Sequence, residues 1–333
     1  MDNLQFTHAI ARIRVLETRL LDKSKIERMI DSSSAEETLK ILGETEYLNY
    51  MSNVKKPEDY EVLLSEELKR LYSLLYSISP EKSIIDIMAL RYDYHNLKVM
   101  LKGKYLGKDL TYLLIPVGTI NNNTLKQIFN MENYKELTPL MREALEKAES
   151  EYETYKDPQK IDLILDSYMY KEILLKSEKI NEKFIEDYIQ MSIDLNNIRT
   201  LLRAKSQNKP RKFFEKIILD GGTIDKNILI GYESETADSI ANKLSYTPYE
   251  KIIRLGLEEY SKTNNISYFE KLSENYIMDF IKKAKQVSFG VEPLIGYIIA
   301  KETEIKIIRI IMVGKLNNIA PNIIRERLRD AYV

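Results

Sequence analysis

Apolar residues recur three and four positions apart along most of this chain. Leu63, Leu64, Leu68, Leu71, Leu74, Leu75 and Ile78 fall on one side of a helical wheel. Similar faces run through 4–30, 80–103, 158–176, 181–205, 266–286 and 292–314. No segment sustains an alternation of apolar and polar residues, and Tyr112 to Val117 is the one stretch that suits a strand. The pattern predicts an all-α fold. Ser79-Pro80, Thr138-Pro139, Asp157-Pro158 and Thr247-Pro248 each put a side-chain acceptor ahead of a proline, which predicts helix starts there. Ser34 with Glu37, and Thr247 with Glu250, have capping-box spacing. Gly43 and Gly103 stand where helices should stop.

One pattern is written more than once. "DYHNLKVMLKGK" at 93–104 and "DLNNIRTLLRAK" at 194–205 share an acid, an asparagine three residues on, a basic residue two further and a final lysine. These are Asp93, Asn96 and Lys98, then Asp194, Asn197 and Arg199. A weaker third version, "EIKIIRIIMVGK" at 304–315, keeps Glu304 and Arg309 but has Ile307 in place of the asparagine. Other landmarks keep the period. "GTINNNTL" at 118–125 resembles "GTIDKNIL" at 222–229, and "SAEETLKILGETEY" at 34–47 resembles "TPYEKIIRLGLEEY" at 247–260. The reading is three divergent helical repeats of about 100 residues, at 34–137, 138–246 and 247–333, after an N-terminal helix in 1–33. The third repeat ends early, with a weak Gly-Thr-Ile counterpart around Ile319.

On the wheel each motif acid points along the apolar stripe, while its basic partner lies far round the helix. Asp93, Asp194 and Glu304 should therefore be buried, with donors supplied by another element. Their simplest role is to pin helices together; the other reading is contact with a partner.

Composition removes several classes of function. The 50 basic and 51 acidic residues nearly cancel, so the excess of positive charge typical of nucleic-acid binding is missing. Cysteine is absent, which excludes disulfides and thiolate metal sites. His8 and His95 lack metal-ligand spacing. Gly103 and Gly107-Lys108 are too close, and followed by Asp109, for a phosphate loop. No Gly-x-Ser-x-Gly and no Asp-Asp pair occurs. No catalytic residue, metal or cofactor is expected. The most apolar stretch, Ile305 to Val313, is broken by Lys306 and Arg309 and is too short to span a bilayer. Arg12, Arg14, Glu17 and Arg19 lie where a signal peptide would be apolar, so a soluble cytoplasmic protein is expected.

The C-terminal segment "GVEPLIGYIIAKETEIKIIRIIMVGK", 290–315, followed by "IIRERL" at 323–328, resembles the signature of the C subunit of bacterial and archaeal V/A-type rotary ATPases, whose eukaryotic counterpart is the d subunit. The matching positions are Gly290, Glu292, Pro293, Leu294, Tyr297, Lys301, Glu302, Glu304, Ile305 and Arg309. Ala11-Arg12-Ile13-Arg14 and Thr45-x-Tyr47 are similar to that family as well, whereas Ile307 stands where its members often carry asparagine. The resemblance implies a pseudo-threefold funnel of three helical wedges and a non-catalytic part of the central rotor. Such a part sits on the membrane ring of ion-carrying proteolipid subunits and receives the D and F subunits of the central shaft. It passes torque between ATP turnover and proton or sodium transport, and lies peripherally on the cytoplasmic face of the membrane. The alternative is an unrelated all-helical scaffold or adaptor without catalytic activity.

Overall fold

The computed structural model describes residues 3–333, and every regular element among them is helical. The α-helices are α1 (Thr7–Glu17), α2 (Lys23–Asp31), α3 (Ala35–Leu42), α4 (Tyr60–Ile78), α5 (Lys82–Leu106), α6 (Asn122–Asn130), α7 (Pro139–Tyr155), α8 (Pro158–Ile180), α9 (Lys183–Ser206), α10 (Arg211–Ile217), α11 (Lys226–Ile230), α12 (Ala237–Lys243), α13 (Glu250–Thr263), α14 (Ser267–Lys282), α15 (Glu292–Leu316) and α16 (Pro321–Arg327). Short 3-10 turns join several of them. The all-α expectation holds.

The chain forms two compact units, one of residues up to Lys82 together with Ser267–Val333, the other of Ser83–Ile266. In the first, α15 lies against α1, α3, α4, α14 and α16. It is apolar nearly all round, with Leu294, Ile298, Ile308 and Ile311 fully buried, as a helix enclosed on every side requires. In the second unit α7 packs on α8, α8 on α9, α9 on α10 and α11, and α12 on α13. One of its cores gathers Tyr94 and Leu97 of α5, Phe129 of α6, Met141 and Leu145 of α7, and Ile161 and Leu165 of α8.

Several boundaries differ from the sequence reading. The apolar face of 4–30 is two helices, broken at Thr18–Asp22, where the Asp22 side chain accepts from the Lys25 N–H at 2.8 Å and starts α2. Thr138 and Asp157 do cap α7 and α8. Ser79 instead closes α4, its N–H donating to the Leu75 carbonyl at 2.8 Å, and α5 begins only at Lys82. Thr247 donates its hydroxyl to the Leu244 carbonyl at 2.8 Å, so the capping box with Glu250 is not formed. In both places the proline follows the end of one helix, where it fits as well as at the start of the next. α5 continues through Gly103 to Leu106 and ends at Gly107, which has φ +60°. Gly103 lies inside the helix because the loop returns over it: a Cβ there would be 3.0 Å from the Lys108 carbonyl oxygen. Tyr112 to Val117 contains no strand; it starts in a 3-10 turn, Thr111–Leu113, and its Ile115 backbone is bonded to the Asn96 side chain rather than to a neighbouring strand.

Candidate functional site

The motif helices α5, α9 and α15 are long and unbroken, 25, 24 and 25 residues. Each buries its acid: Asp93 is 1% exposed, Asp194 0% and Glu304 5%. The donors come from other elements. Asp93 accepts from the Thr119 N–H at 2.9 Å, the Thr119 hydroxyl at 2.8 Å and the Ile120 N–H at 3.0 Å. Asp194 accepts from the Thr223 N–H at 3.1 Å, the Thr223 hydroxyl at 2.5 Å, the Ile224 N–H at 3.0 Å and the Tyr249 hydroxyl at 2.9 Å. The Gly-Thr-Ile segment is thus a cage for the motif carboxylate. Its glycine is a steric requirement. A Cβ on Gly118 would lie 2.3 Å from Asp93 Oδ1, and one on Gly222 2.1 Å from Asp194 Oδ1. Gly118 also has φ +144°, which a side chain disfavours.

The motif asparagines hold the same loops further up. Asn96 donates to the Ile115 carbonyl and accepts from its N–H, both at 2.9 Å. Asn197 does the same for Leu219, at 2.9 and 2.8 Å. A side-chain amide that copies both halves of a peptide group leaves neither backbone atom unsatisfied.

Glu304 is held differently. It accepts from the Leu21 N–H at 2.5 Å, the Tyr47 hydroxyl at 2.9 Å and Lys301 Nζ at 2.7 Å. The backbone donor therefore comes from the N-terminal segment, not from the region of Ile319, whose N–H closes α15 onto the Gly314 carbonyl. Leu21 precedes the α2 cap Asp22, as Ile120 precedes the α6 cap Asn121 and Ile224 the α11 cap Asp225. The extra methylene of glutamate lets the loop stand further off, which agrees with Arg19 occupying the place of the cage glycine. Lys301, 1% exposed, also reaches Glu67 at 2.9 Å, and Glu67 takes two bonds from Arg70 at 2.8 Å.

Electrostatics separate Asp93 from Glu67 and Lys301. Burial raises Asp93 to about 6 despite the bonds from Thr119 and Ile120 that favour its charged form. Burial also acts to raise Glu67, but the Arg70 hydrogen bonds and the Lys301 charge outweigh it and hold the carboxyl below the ordinary range. Burial works against the Lys301 charge; Glu304 and Glu67 overcome it and keep the ammonium above the usual lysine value.

The motif bases lie at the rim. Lys98 pairs with Asp166 of α8 at 2.5 Å, and Arg309 forms a two-bond pair with Glu61 of α4 at 2.6 and 2.9 Å. α8 and α4 each carry a second acid six residues on, Glu172 and Glu67, and both are buried. Glu172 accepts the Tyr94 hydroxyl at 2.9 Å and the Thr138 hydroxyl at 3.1 Å. Among the described residues no carboxylate pairs with Arg199; its guanidinium bonds to Asn196 of its own helix.

The signature residues cluster at the start and middle of α15. Gly290 has φ +125°, and a Cβ there would meet Glu292 Oε2 at 2.3 Å. Glu292 and Pro293 open α15, where a carboxylate suits the helix N-terminus. Tyr297 is fully buried, in the field of Lys301, Arg70 and Glu67. Glu302 accepts the Tyr72 hydroxyl at 2.8 Å. Sequence reasoning missed the Lys301–Glu67 link and the tyrosines. The shared six-residue spacing of acids on α4 and α8, and the repeated Leu21-Asp22, Ile120-Asn121 and Ile224-Asp225 pairs, were the available signals.

Among the described residues no group of three or more His, Asp or Glu comes together in a way that could hold a metal ion. Among the same residues no helix is long and apolar enough to cross a membrane. Asp93, Asp194, Glu67, Lys301 and Glu304 are engaged in buried contacts between the helices and loops of an all-helical protein. The family described as "ATP synthase (C/AC39) subunit" matches residues 9–327. The chain is 30% identical to the C subunit of the A-type ATP synthase of Methanocaldococcus jannaschii, over 98% of this chain and 87% of that protein. It is 29% identical to the C subunit of the V-type sodium ATPase of Enterococcus hirae, over 96% of this chain and 97% of that protein. It is 27% identical to the A-type C subunit of Methanosphaera stadtmanae, over 97% of this chain and 87% of that protein. The chain belongs to the ATP synthase C/AC39 family.

Proposed function

We propose that this chain is the non-catalytic central-rotor component that connects the shaft, built of the D and F subunits, to the membrane ring of proteolipid subunits. In this reading it carries torque between ATP turnover and proton or sodium transport, on the cytoplasmic face of the membrane. The observation that carries it is near full-length similarity to the C subunits of both A-type ATP synthases and a V-type sodium ATPase. The way the three long helices are held supports it. A torque-bearing part must not yield, and each motif helix is pinned along its length by a buried acid bonded to other elements and, on α5 and α9, by an asparagine clamp. The same features suit a pseudo-threefold funnel of three wedges, with repeats at 34–137, 138–246 and 247–333. In this reading the segment before residue 34, whose Leu21 N–H donates to Glu304, belongs with the third wedge.

Reconstitution tests the reading: head, shaft and membrane ring are combined with and without the chain. Without it, ATP hydrolysis by the head should continue while ATP-driven ion transport stops. Full ion transport in its absence, or stoichiometric ATP binding by the isolated chain in calorimetry, refutes the connector role.

A further inference from the structure

Two of the three motif bases are paired with an acid on a neighbouring helix, Lys98 with Asp166 and Arg309 with Glu61. Arg199 is not: among the described residues no carboxylate comes within 4 Å of it, and its Nε is enclosed without any hydrogen-bond partner. An arginine that lines a groove without an acid of its own chain can pair with the acid of a bound partner.

Arg199 lines a groove of about 410 Å³ between α8, α9 and α10. This groove adjoins a second of about 610 Å³ between α7, α8 and α10, and the two share Gln159, Leu163 and Phe213. The shared floor is apolar: Leu163 and Phe213, extended by Ile164 and Tyr168. The walls are basic. Seven basic side chains line the two grooves against four acidic ones, in a chain whose charges nearly cancel overall. The four acids are already engaged. Asp157 caps α8, Glu151 pairs with Lys160, Asp166 with Lys98, and Glu215 with Arg211. Lys147 and Lys209 lie over the rings of Tyr168 and Phe213, and Lys212 and Lys216 are exposed at the rim.

We propose that this double groove is the docking site for an acidic amphipathic helix of another protein of the complex, whose carboxylate supplies Arg199 with the acid that Lys98 and Arg309 find within the chain. The apolar floor takes the hydrophobic face of such a helix, and the lysine rim takes its acidic edge. An anionic membrane surface fits less well, because a flat bilayer cannot follow a concave floor. The inference rests on membership of the multisubunit complex and not on the rotor position.

The test places photoreactive benzoylphenylalanine at position 213 of the full chain in the assembled complex. Irradiation should give an adduct on one helix of another protein of the complex, at a face with acidic residues three or four apart beside apolar ones. An adduct only within the chain itself, or only with lipid, overturns the proposal. The Arg199→Glu, Lys212→Glu chain should be washed from the complex by salt at least about tenfold more readily than the wild type. Unchanged retention overturns the proposal. Arg199→Met in the isolated chain should melt at or above the wild-type midpoint; a fall assigns the arginine to the chain's own fold and also overturns it. Whether the cross-linked protein rotates or stands still bears on the rotor reading alone.

Discussion

The pockets of Asp194 and Glu304 solve one problem by different means. Asp194 sits in a neutral cage of backbone N–H groups, a threonine and a tyrosine, closed by a glycine too near the carboxylate to carry a side chain. Glu304 keeps one backbone donor and one tyrosine but exchanges the rest for Lys301, which in turn carries Glu67 and Arg70. The first arrangement depends on the exact course of a loop. The second depends on charge balance: two buried carboxylates around one buried ammonium tolerate the loss of none of the three. Asp93 belongs with Asp194, without the tyrosine.

The largest effect should come from unbalancing the charged pocket. Lys301→Met leaves Glu67 and Glu304 facing each other and should cost about 3–5 kcal/mol in denaturant unfolding. Adding Glu304→Gln should recover part of that loss; no recovery would mean that Lys301 acts through packing. In the neutral cages, Asp194→Ala strands two N–H groups and two hydroxyls and should cost about 1–3 kcal/mol. An unchanged melting midpoint would show the acid to be dispensable. Gly118→Ala, which meets Asp93 at a positive φ, should cost about 1–3 kcal/mol. Gly107→Ala, with φ +60° and nothing within 4 Å, should cost less; equal losses would remove the steric argument.

Asp93 and Glu67 should also respond to pH with opposite sign. Asp93, with a folded pKa of about 6, holds a proton that the unfolded chain has already released near pH 4. Its contribution is therefore full below the unfolded value and is lost as pH rises through about 6. Glu67, held below its ordinary value, contributes above its unfolded pKa and loses that contribution as pH falls through its folded one. Carboxyl NMR titration of Asp93 against Glu67 resolves the two, and a lower pKa for Asp93 than for Glu67 would reverse the comparison. The smallest effect belongs to the rim: Arg309→Gln breaks a half-exposed pair with Glu61 and should change stability by less than about 1 kcal/mol.

Helical periodicity, the proline-marked starts of α7 and α8, and the burial of the three motif acids were all legible in the chain, because each depends on residues within one or two turns. The Gly-Thr-Ile segments were visible as a recurrence, but not as cages. Thr119 is 26 residues from Asp93 and Thr223 is 29 from Asp194, and no local rule connects them. The misread starts at Ser79 and Thr247 have the same origin, since a polar residue before proline serves equally to close a helix as to open one.

By itself the sequence determined the helical class, which residues turn inward and, through the α15 signature, the family. Inwardness follows from the period of apolar residues along one helix. Only the tertiary structure decided what each buried acid meets. Leu21 reaches Glu304 across 283 positions, Tyr47 across 257, and Glu67 binds Lys301 from another helix. A buried carboxylate accepts any well-placed donor, so the sequence demands that a partner exist without naming it. The choice between a backbone cage and an ion network was made by packing, which sets how close a loop can come to the helix it holds.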